Sequence, residues 1–409
     1  GLIDDPAGQC HRPLRWEPTL GNLLLVGAVG SGTTSTMISI AAATCRGRAP
    51  AELHVYVLDG AGDDGLRALA GLAHCGGVIA ASDRERVDRL LARLDASIEA
   101  RRRAVDADAP PVVLFIDGWS SVRRSLDGVE RAAQFEVLRR IVEDGPALGV
   151  VTVASDHGRS SGATALPARD RWVFALDDPT DARTFGVVTP PVARGRPGRL
   201  RIASSGLEAQ VAQGAAGLAE IVTHDVDGSG PRPIRRLPRV VRPECARGER
   251  WRSTRSDDAV RLVVGLGGAD VAPDHLLARE GEPILIVGAA NSGVSSALEC
   301  VVSALRDVEG PVPAVMRVDR TRAPDRDAIV APRRARLIVA VDDAHRVADP
   351  DGLLSSIANG EVDGATLVAA GRADVIRTAY GHWTREAART RCGIVMSAGD
   401  DTDGEVFGI

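Results

Sequence analysis

The chain alternates between unbroken apolar runs and stretches where apolar residues recur every three or four positions. "NLLLVGA" (22–28), "ELHVYVLDG" (52–60), "PPVVLFIDGW" (110–119) and "LGVVTVAS" (148–155) are continuous runs, the pattern of strands buried on both faces. Between the second and third, "DRERVDRLLARLDASIEARRRAV" (83–105) places Val87, Leu90, Leu91, Leu94 and Ile98 on one side of a helix. Strand and helix in alternation predict a mainly parallel sheet flanked by helices, an α/β fold.

The pattern then restarts. "EPILIVGAANSGVSSALE" (282–299) repeats the opening strand, glycine-rich turn and helix. "RARLIVAVDDAH" (334–345) repeats the apolar run that ends in aspartate, and "GATLVAAGR" (364–372) supplies a further strand. "TDARTFGV" (180–187) matches "TDGEVFGI" (402–409) in its first two residues and in its Phe-Gly pair. Two copies of one domain is the economical reading. From Gly27 to Asp117 is 90 positions, and from Gly288 to Asp342 is 54, so the second copy is expected to lack about one helical excursion. Nine arginines against two acids between Arg232 and Arg255, together with prolines, mark a linker. The expected division is 1–224, a linker at 225–258, and 259–409.

Both glycine-rich turns have the layout G-x-x-x-x-G-K-[ST] of a phosphate-binding loop without its lysine. In "GAVGSGTT", Gly27, Gly30, Ser31 and Gly32 direct main-chain N–H groups toward a phosphate at a helix N-terminus. Thr33 stands at the lysine position, and Thr34 supplies the hydroxyl that reaches Mg²⁺. Asp117 is the matching strand-ending carboxylate, followed by Gly118 where a water-orienting acid is absent. In the second copy Gly288, Ser292, Gly293 and Ser295 are in register, but Val294 takes the lysine position. Asp342 repeats the carboxylate, and Asp343 follows as an acid placed to orient water. Thr34 with Asp117, and Ser295 with Asp342, are the candidate Mg²⁺ ligands. The expected cofactor is ATP or ADP with Mg²⁺, in the first copy more than the second, with little or no hydrolysis.

Composition sharpens this. The chain has 409 residues and all 50 basic residues are arginine, so no loop can supply a phosphate-binding lysine. Arginine is bulkier and binds phosphate as a planar fork. A net charge of −5 argues against a surface that coats nucleic acid or an anionic membrane. Six widely spaced cysteines without a C-x-x-C pair read as reduced thiols rather than a zinc site or disulfide framework. No apolar run approaches 18 residues, and the opening "GLIDDP" reads as the start of a piece cut from a longer chain, so an anchor is expected only outside it.

Other polar stretches have plainer readings. "SDHG" (155–158) reads as a strand end, or a polar group sensing phosphate, rather than a catalytic triad. "ARRRAV" (100–105) reads as a helix C-terminus with charges complementing the dipole. The linker arginines read as solvated, or as a grip on a nucleic-acid backbone or acidic lipid. Arg372, after "LVAAG", is a candidate phosphate-sensing arginine.

The chain resembles the FtsK/SpoIIIE superfamily, and most of all the EccC-type ATPases of type VII secretion. The resemblance rests on "GLIDDPAGQCHRPLRWEP" (1–18), "VYVLDGAGDDGLRALAGLAHCGGVIAASDRERV" (55–87), "RDRWVFALDDPTDARTFGV" (169–187), "VGLGGADVAPDHLLAREGEPILIVG" (264–288) and "DDTDGEVFGI" (400–409). It implies two tandem RecA-like P-loop domains like the second and third ATPases of such a motor. It further implies a cytoplasmic position behind a membrane anchor, other ATPase domains of the same protein as partners, and assembly up to a hexamer. It also implies recognition of WXG100-type substrates through a C-terminal signal peptide. Departures at Thr33, Gly118 and Val294 put hydrolysis in doubt more than binding. Two alternatives stand beside the secretion reading: a ring-forming double-stranded DNA translocase with hydrolysis completed in trans, and a scaffold that binds no nucleotide.

Overall fold

A computed structural model describes residues 1–62, 65–103, 109–157, 166–214, 218, 230–241, 253–255, 259–279, 281–308, 310–330, 336–396 and 403–408. The chain forms two compact units, Gly1–Arg236 and Leu237–Ile409.

In the first unit, strands β1 (Leu2–Asp5) and β2 (Cys10–Pro13) lead into β3 (Leu23–Val26), the first glycine turn and helix α1 (Thr33–Cys45). Then follow β4 (His54–Asp59), β5 (Cys75–Ala80), α2 (Arg84–Arg102), β6 (Val112–Asp117), α3 (Trp119–Ser125), α4 (Ala132–Asp144), β7 (Val150–Asp156), β8 (Asp170–Phe174), β9 (Arg199–Ile202) and β10 (Glu208–Gln210). They make one sheet in the order β2-β1-β10-β9-β8-β3-β7-β6-β4-β5. The run from β8 to β5 is parallel, and β9, β10, β1 and β2 extend it antiparallel.

The continuous apolar runs occupy its centre. Each residue of β3 is at most 1% exposed, and burying each such leucine or valine stabilises the fold by about 1.5–3 kcal/mol. Alternate residues face opposite layers, so Leu24 and Val26 pack with α2 and α4 while Leu23 and Leu25 pack with α1. All five apolar residues picked out in α2 are buried on the first of these faces. Buried Asn22 ties the base of the sheet together. Its amide donates to the carbonyls of Val142 (2.7 Å) and Pro167 (3.1 Å), and its oxygen accepts from Thr152 N (2.8 Å).

The second unit holds a small antiparallel sheet of β11 (Thr254–Arg255), β12 (Ala259–Gly267) and β13 (Ala272–Arg279). Its main sheet is wholly parallel, formed by β14 (Ile284–Gly288), β15 (Ala314–Val318), β16 (Leu337–Val341), β17 (Ala365–Arg372) and β18 (Gly393–Met396) in the order β15-β16-β17-β14-β18. Helices α5 (Val294–Arg306), α6 (Arg326–Val330), α7 (Leu353–Ala358), α8 (Ala373–Thr378) and α9 (Thr384–Ala388) connect these strands. The order repeats β4-β6-β7-β3-β8 of the first unit.

The shortening takes a strand as well as helix length. Among the described residues, no strand lies outside β15 as β5 lies outside β4, and α6, between β15 and β16 where α2 precedes β6, has 5 residues against 19. At the matched segments, Pro179–Phe185 and Asp403–Phe407 are both short 3₁₀ turns after the last parallel strand, each burying its phenylalanine, Phe185 and Phe407.

Within the segment expected as a linker, residues 230–236 lie on the first unit. Ile234 is buried, its N–H donates to Gly76 O (2.8 Å) and its carbonyl accepts from Arg86 Nε (3.0 Å), while Arg236 pairs with Asp83 at 2.7 Å. Residues 254–255 pair with β12. Cys10, Cys45, Cys75, Cys300 and Cys392 are free thiols. Burial pushes Cys45 and Cys392 up to about 12 and Cys75 to about 11. Cys245 lies outside the described residues. No helix among those residues is long and apolar enough to cross a membrane.

Candidate functional site

The first glycine turn is shaped by close approach. Gly30 (φ 79°) and Gly32 (φ 99°) occupy the left-handed region, which glycine enters without steric penalty. A Cβ on Gly27 would lie 2.8 Å from Phe174 Cβ and collide with Ser31 Oγ; one on Gly32 would lie 2.7 Å from Gly198 N. Main-chain bonds fix the turn from three sides: Gly27 N to Asp156 O (3.0 Å), Ala28 N to Ala175 O (2.8 Å) and Gly198 N to Ser31 O (2.8 Å). Helix α1 starts at Thr33, so its free N–H groups and positive dipole end face the turn.

The structure brings Thr34 and Asp117 together. Thr34 Oγ1 donates to Asp117 Oδ2 at 3.2 Å, a direct contact between the two groups predicted to share a Mg²⁺. On its other side Asp117 Oδ1 accepts from Ser155 Oγ, and Ser155 Oγ itself accepts from Gly118 N at 2.8 Å. Asp117, Ser155 and Asp156 are all at most 3% exposed. Thus the serine of "SDHG" meets the strand-ending carboxylate, and its neighbour Asp156 accepts from Ser120 Oγ at 3.0 and 2.8 Å. Gly158 lies outside the described residues. Sequence reasoning missed Ser120. The signal was there: it lies three positions after Asp117, in the first turn of α3. It also missed Asp59, which ends β4 in register with Asp117 and accepts from Gly62 N at 2.7 Å.

Thr33 is buried, 8% exposed. Ser31 Oγ is buried with no hydrogen-bond partner, a polar atom that bound phosphate oxygens would satisfy. The donor set fits Mg²⁺–nucleotide. A hydroxyl and a single carboxylate suit an ion that takes its remaining oxygens from water and phosphate. Ser31, Thr34 and Asp117 are the residues that would hold it.

The second turn repeats the frame with altered fittings. Gly293 (φ 93°) caps α5 and Asn291 is also left-handed (φ 61°). Ser295 Oγ donates to Asp342 Oδ1 at 3.0 Å, repeating the contact of Thr34 with Asp117. Ser292 Oγ is again buried and unpartnered. A Cβ on Gly288 would lie 2.6 Å from Met396 O and 2.9 Å from its Cβ, and one on Gly293 would lie 3.7 Å from Met396 Cε. Met396 therefore fills the place that Phe174 takes beside Gly27. Val294 is half-buried at the lysine position.

Strand register exposes a further difference. Leu25 pairs with Ser155 across β3 and β7, whereas Ile286 pairs with Ala370 across β14 and β17. The second unit has no serine to meet its carboxylate from that strand. Instead Asp342 Oδ1 accepts from Asp343 N at 2.9 Å. His345 stands where Ser120 stands in the first unit, and its Nδ1 accepts from Arg372 N at 3.3 Å. Burial lowers the pKa of His345 below its ordinary value.

Two expected roles meet obstacles here. Asp343 sits in the left-handed region (φ 50°), its carboxylate 3.8 Å from Arg346. Arg372, the expected phosphate sensor, is bound by Asp374, Nε to Oδ1 at 3.0 Å and Nη2 to Oδ2 at 2.5 Å. Arg101, read as a dipole-complementing charge, holds Leu148 O (2.9 Å) and Pro110 O (2.6 Å).

The FtsK/SpoIIIE family model matches residues 10–118, the span from β2 through Asp117. Over that span the chain is similar to the FtsK/SpoIIIE family. Among curated relatives it is 25% identical over 349 residues to the ESX-3 secretion system protein EccC3 of Mycobacterium tuberculosis, covering 75% of this chain and 24% of the relative. To the ESX secretion system protein EccC of Thermomonospora curvata it is 23% identical over 346 residues, covering 75% and 25%. The chain thus spans about a quarter of the length of these relatives. Among solved structures, EssC (ATPases 2 and 3) from Geobacillus thermodenitrificans superposes with a TM-score of 0.69 at 18% identity, covering 97% of this chain and 87% of that one. T. curvata EccC (ATPases 2 and 3), in complex with a signal sequence peptide, gives 0.63 at 19% identity, covering 97% and 85%. The fold is that of two tandem RecA-like P-loop domains, as expected from the repeated strand, turn and helix.

Proposed function

We propose that this chain is a tandem ATPase module of a type VII, EccC-like secretion motor, binding nucleotide in its first unit with little turnover and serving regulation or substrate docking. The observation that carries the nucleotide half is the contact of Thr34 with Asp117 at the start of α1, beside the orphaned Ser31 hydroxyl. Bound Mg²⁺ would supply charge neutralisation to the phosphates. The chain's own part is to bind and orient them through the turn's N–H groups, Ser31 and Thr34. Little turnover is expected because Gly118 offers no carboxylate to orient water and Thr33 no cation to the β- and γ-phosphates. The second unit keeps the cradle but presents Val294 and Met396, so binding there is expected to be weaker.

The docking half is supported by the relatives' place in secretion systems and by the signal-peptide complex of the T. curvata ATPase pair. The partner this implies is a WXG100-type substrate offering a C-terminal peptide, with further ATPase domains of the same protein alongside. Calorimetry of the chain with ATP–Mg²⁺ tests the first claim. Saturable heat that Thr34→Ala removes is expected; no heat and no thermal shift defeats it. Tight duplex-DNA binding at physiological salt, with a steep dependence on salt, would replace secretion with translocation.

A further inference from the structure

The first glycine turn lacks a lysine, and a helix N-terminus offers only about half a unit charge, yet triphosphate brings several negative charges. Residues 194–198 run beside this turn and are pinned at both ends. At one end Arg194 donates to Leu176 O (3.4 Å), Asp177 O (3.2 Å) and Asp177 Oδ1 (2.6 Å), next to Ala175, whose carbonyl holds Ala28 of the turn. At the other, Gly198 N donates to Ser31 O and lies against Gly32 so closely that no Cβ fits between them. Pro197 is fixed from behind by Gln210 Nε2 (3.1 Å), and Gly195 and Gly198 are both left-handed (φ 83° and 78°). The segment is an arch with a set path.

Its two arginines and the next one along, Arg199, have different fates. Arg194 is bound as above, and Arg199 pairs with Glu208. Arg196, between the two anchors, is exposed, and its side chain makes no hydrogen bond or ion pair among the described residues. Two residues of chain span at most about 7 Å, so its Cα lies within that distance of Gly198 and hence close to the start of α1. Ser31 Oγ, in a residue 7% exposed and without a partner, independently marks the turn as built for an oxygen-rich ligand.

We propose that Arg196 supplies, from this arch, the positive charge that Thr33 does not, and that it binds the β- and γ-phosphates of a nucleoside triphosphate. Guanidinium suits the task because its fork makes paired charge-assisted hydrogen bonds to phosphate oxygens. The proposal rests on the nucleotide reading of the first unit and specifies its cation.

The test is calorimetry of the full chain and of Arg196→Ala, Arg196→Lys and the double variant Arg196→Ala with Thr33→Lys, each titrated with Mg²⁺–ATP and with AMP. Arg196 is exposed, so the variants are expected to melt with the wild type. Arg196→Ala should weaken ATP on the order of tenfold or more and leave AMP unchanged. Arg196→Lys should keep part of the ATP affinity, and Thr33→Lys should restore it in the alanine background. Wild-type ATP binding that Arg196→Ala leaves intact overturns the proposal while sparing the nucleotide reading. An equal loss of ATP and AMP overturns it as well, since the arginine would then serve the base or the arch. Absence of ATP binding by the wild type overturns the nucleotide reading itself.

Discussion

Restoring a carboxylate after Asp117 is an obvious way to seek hydrolysis, and the backbone there opposes it. Gly118 has φ 76° and ψ 63°, and placing an L-residue in the left-handed region costs about 1–2 kcal/mol. A Cβ would also stand 3.3 Å from Ala61 N and from Gly60 C, tighter than ordinary van der Waals contact, against main chain that cannot swing away. Gly118→Glu is therefore expected to destabilise the first unit by about 1–3 kcal/mol. For a unit of 236 residues, each kcal/mol lowers the melting midpoint by about 2–4 °C, a fall of roughly 2–12 °C in all. Gly118→Ala should fall nearly as far, because the backbone conformation and not the carboxylate is at fault. Gly118→Asp should fall least, since aspartate tolerates this conformation, as Asp343 does at the matching position with φ 50°. Differential scanning fluorimetry on the four proteins reads the order directly, and phosphate release reads turnover, which is expected to stay at the wild-type level in Gly118→Glu. An alanine variant melting with the wild type would refute the reasoning.

Thr33→Lys in the otherwise native chain should raise ATP–Mg²⁺ affinity by roughly tenfold or more, read by calorimetry; an unchanged constant would mean that the turn is not shaped for phosphate. Asn22→Ala should lower stability by about 2–4 kcal/mol, because the carbonyls of Val142 and Pro167 and the N–H of Thr152 lose their buried partner together; urea denaturation measures it. Burial lowers the pKa of His345 and His382 below the ordinary 6.5. A histidine kept neutral by the fold contributes stability that is full above that pH and is lost as pH falls through the lowered values. The second unit should therefore weaken as pH falls below the ordinary 6.5. His345→Asn should flatten part of this profile, and an unchanged profile in both single variants, His345→Asn and His382→Asn, would contradict the assignment.

The repeated strand, turn and helix was legible because apolar runs and glycines carry local physics: Leu23–Val26 must be buried, and Gly32 must take a positive φ. Thr34 with Asp117 and Ser295 with Asp342 followed from the same frame. Ser155 was visible only as a strand end or a phosphate-sensing group, since which carboxylate it meets depends on the register between β3, β7 and β6. Ser120 opposite Asp156, and His345 beside Gly371, were hidden for the same reason. The absence of a β5 equivalent and the shortening of α2 to α6 could not be told from the loss of one helix, because spacing counts residues and not elements. Arg372 looked available in sequence, with Asp374 two positions away, until the helix start folded the two side chains together.

Each unit spans the gap between its aspartate strand and the neighbouring strand differently. In the first, the carboxylate itself is the pin, shared between Thr34 of α1 and Ser155 of β7. In the second, the pin is the imidazole of His345 on the main chain of Arg372, three residues away from Asp342. The first joint therefore shares its carboxylate with the proposed Mg²⁺ site, whereas the second leaves Asp342 to Ser295 and Asp343 N and joins its strands without it.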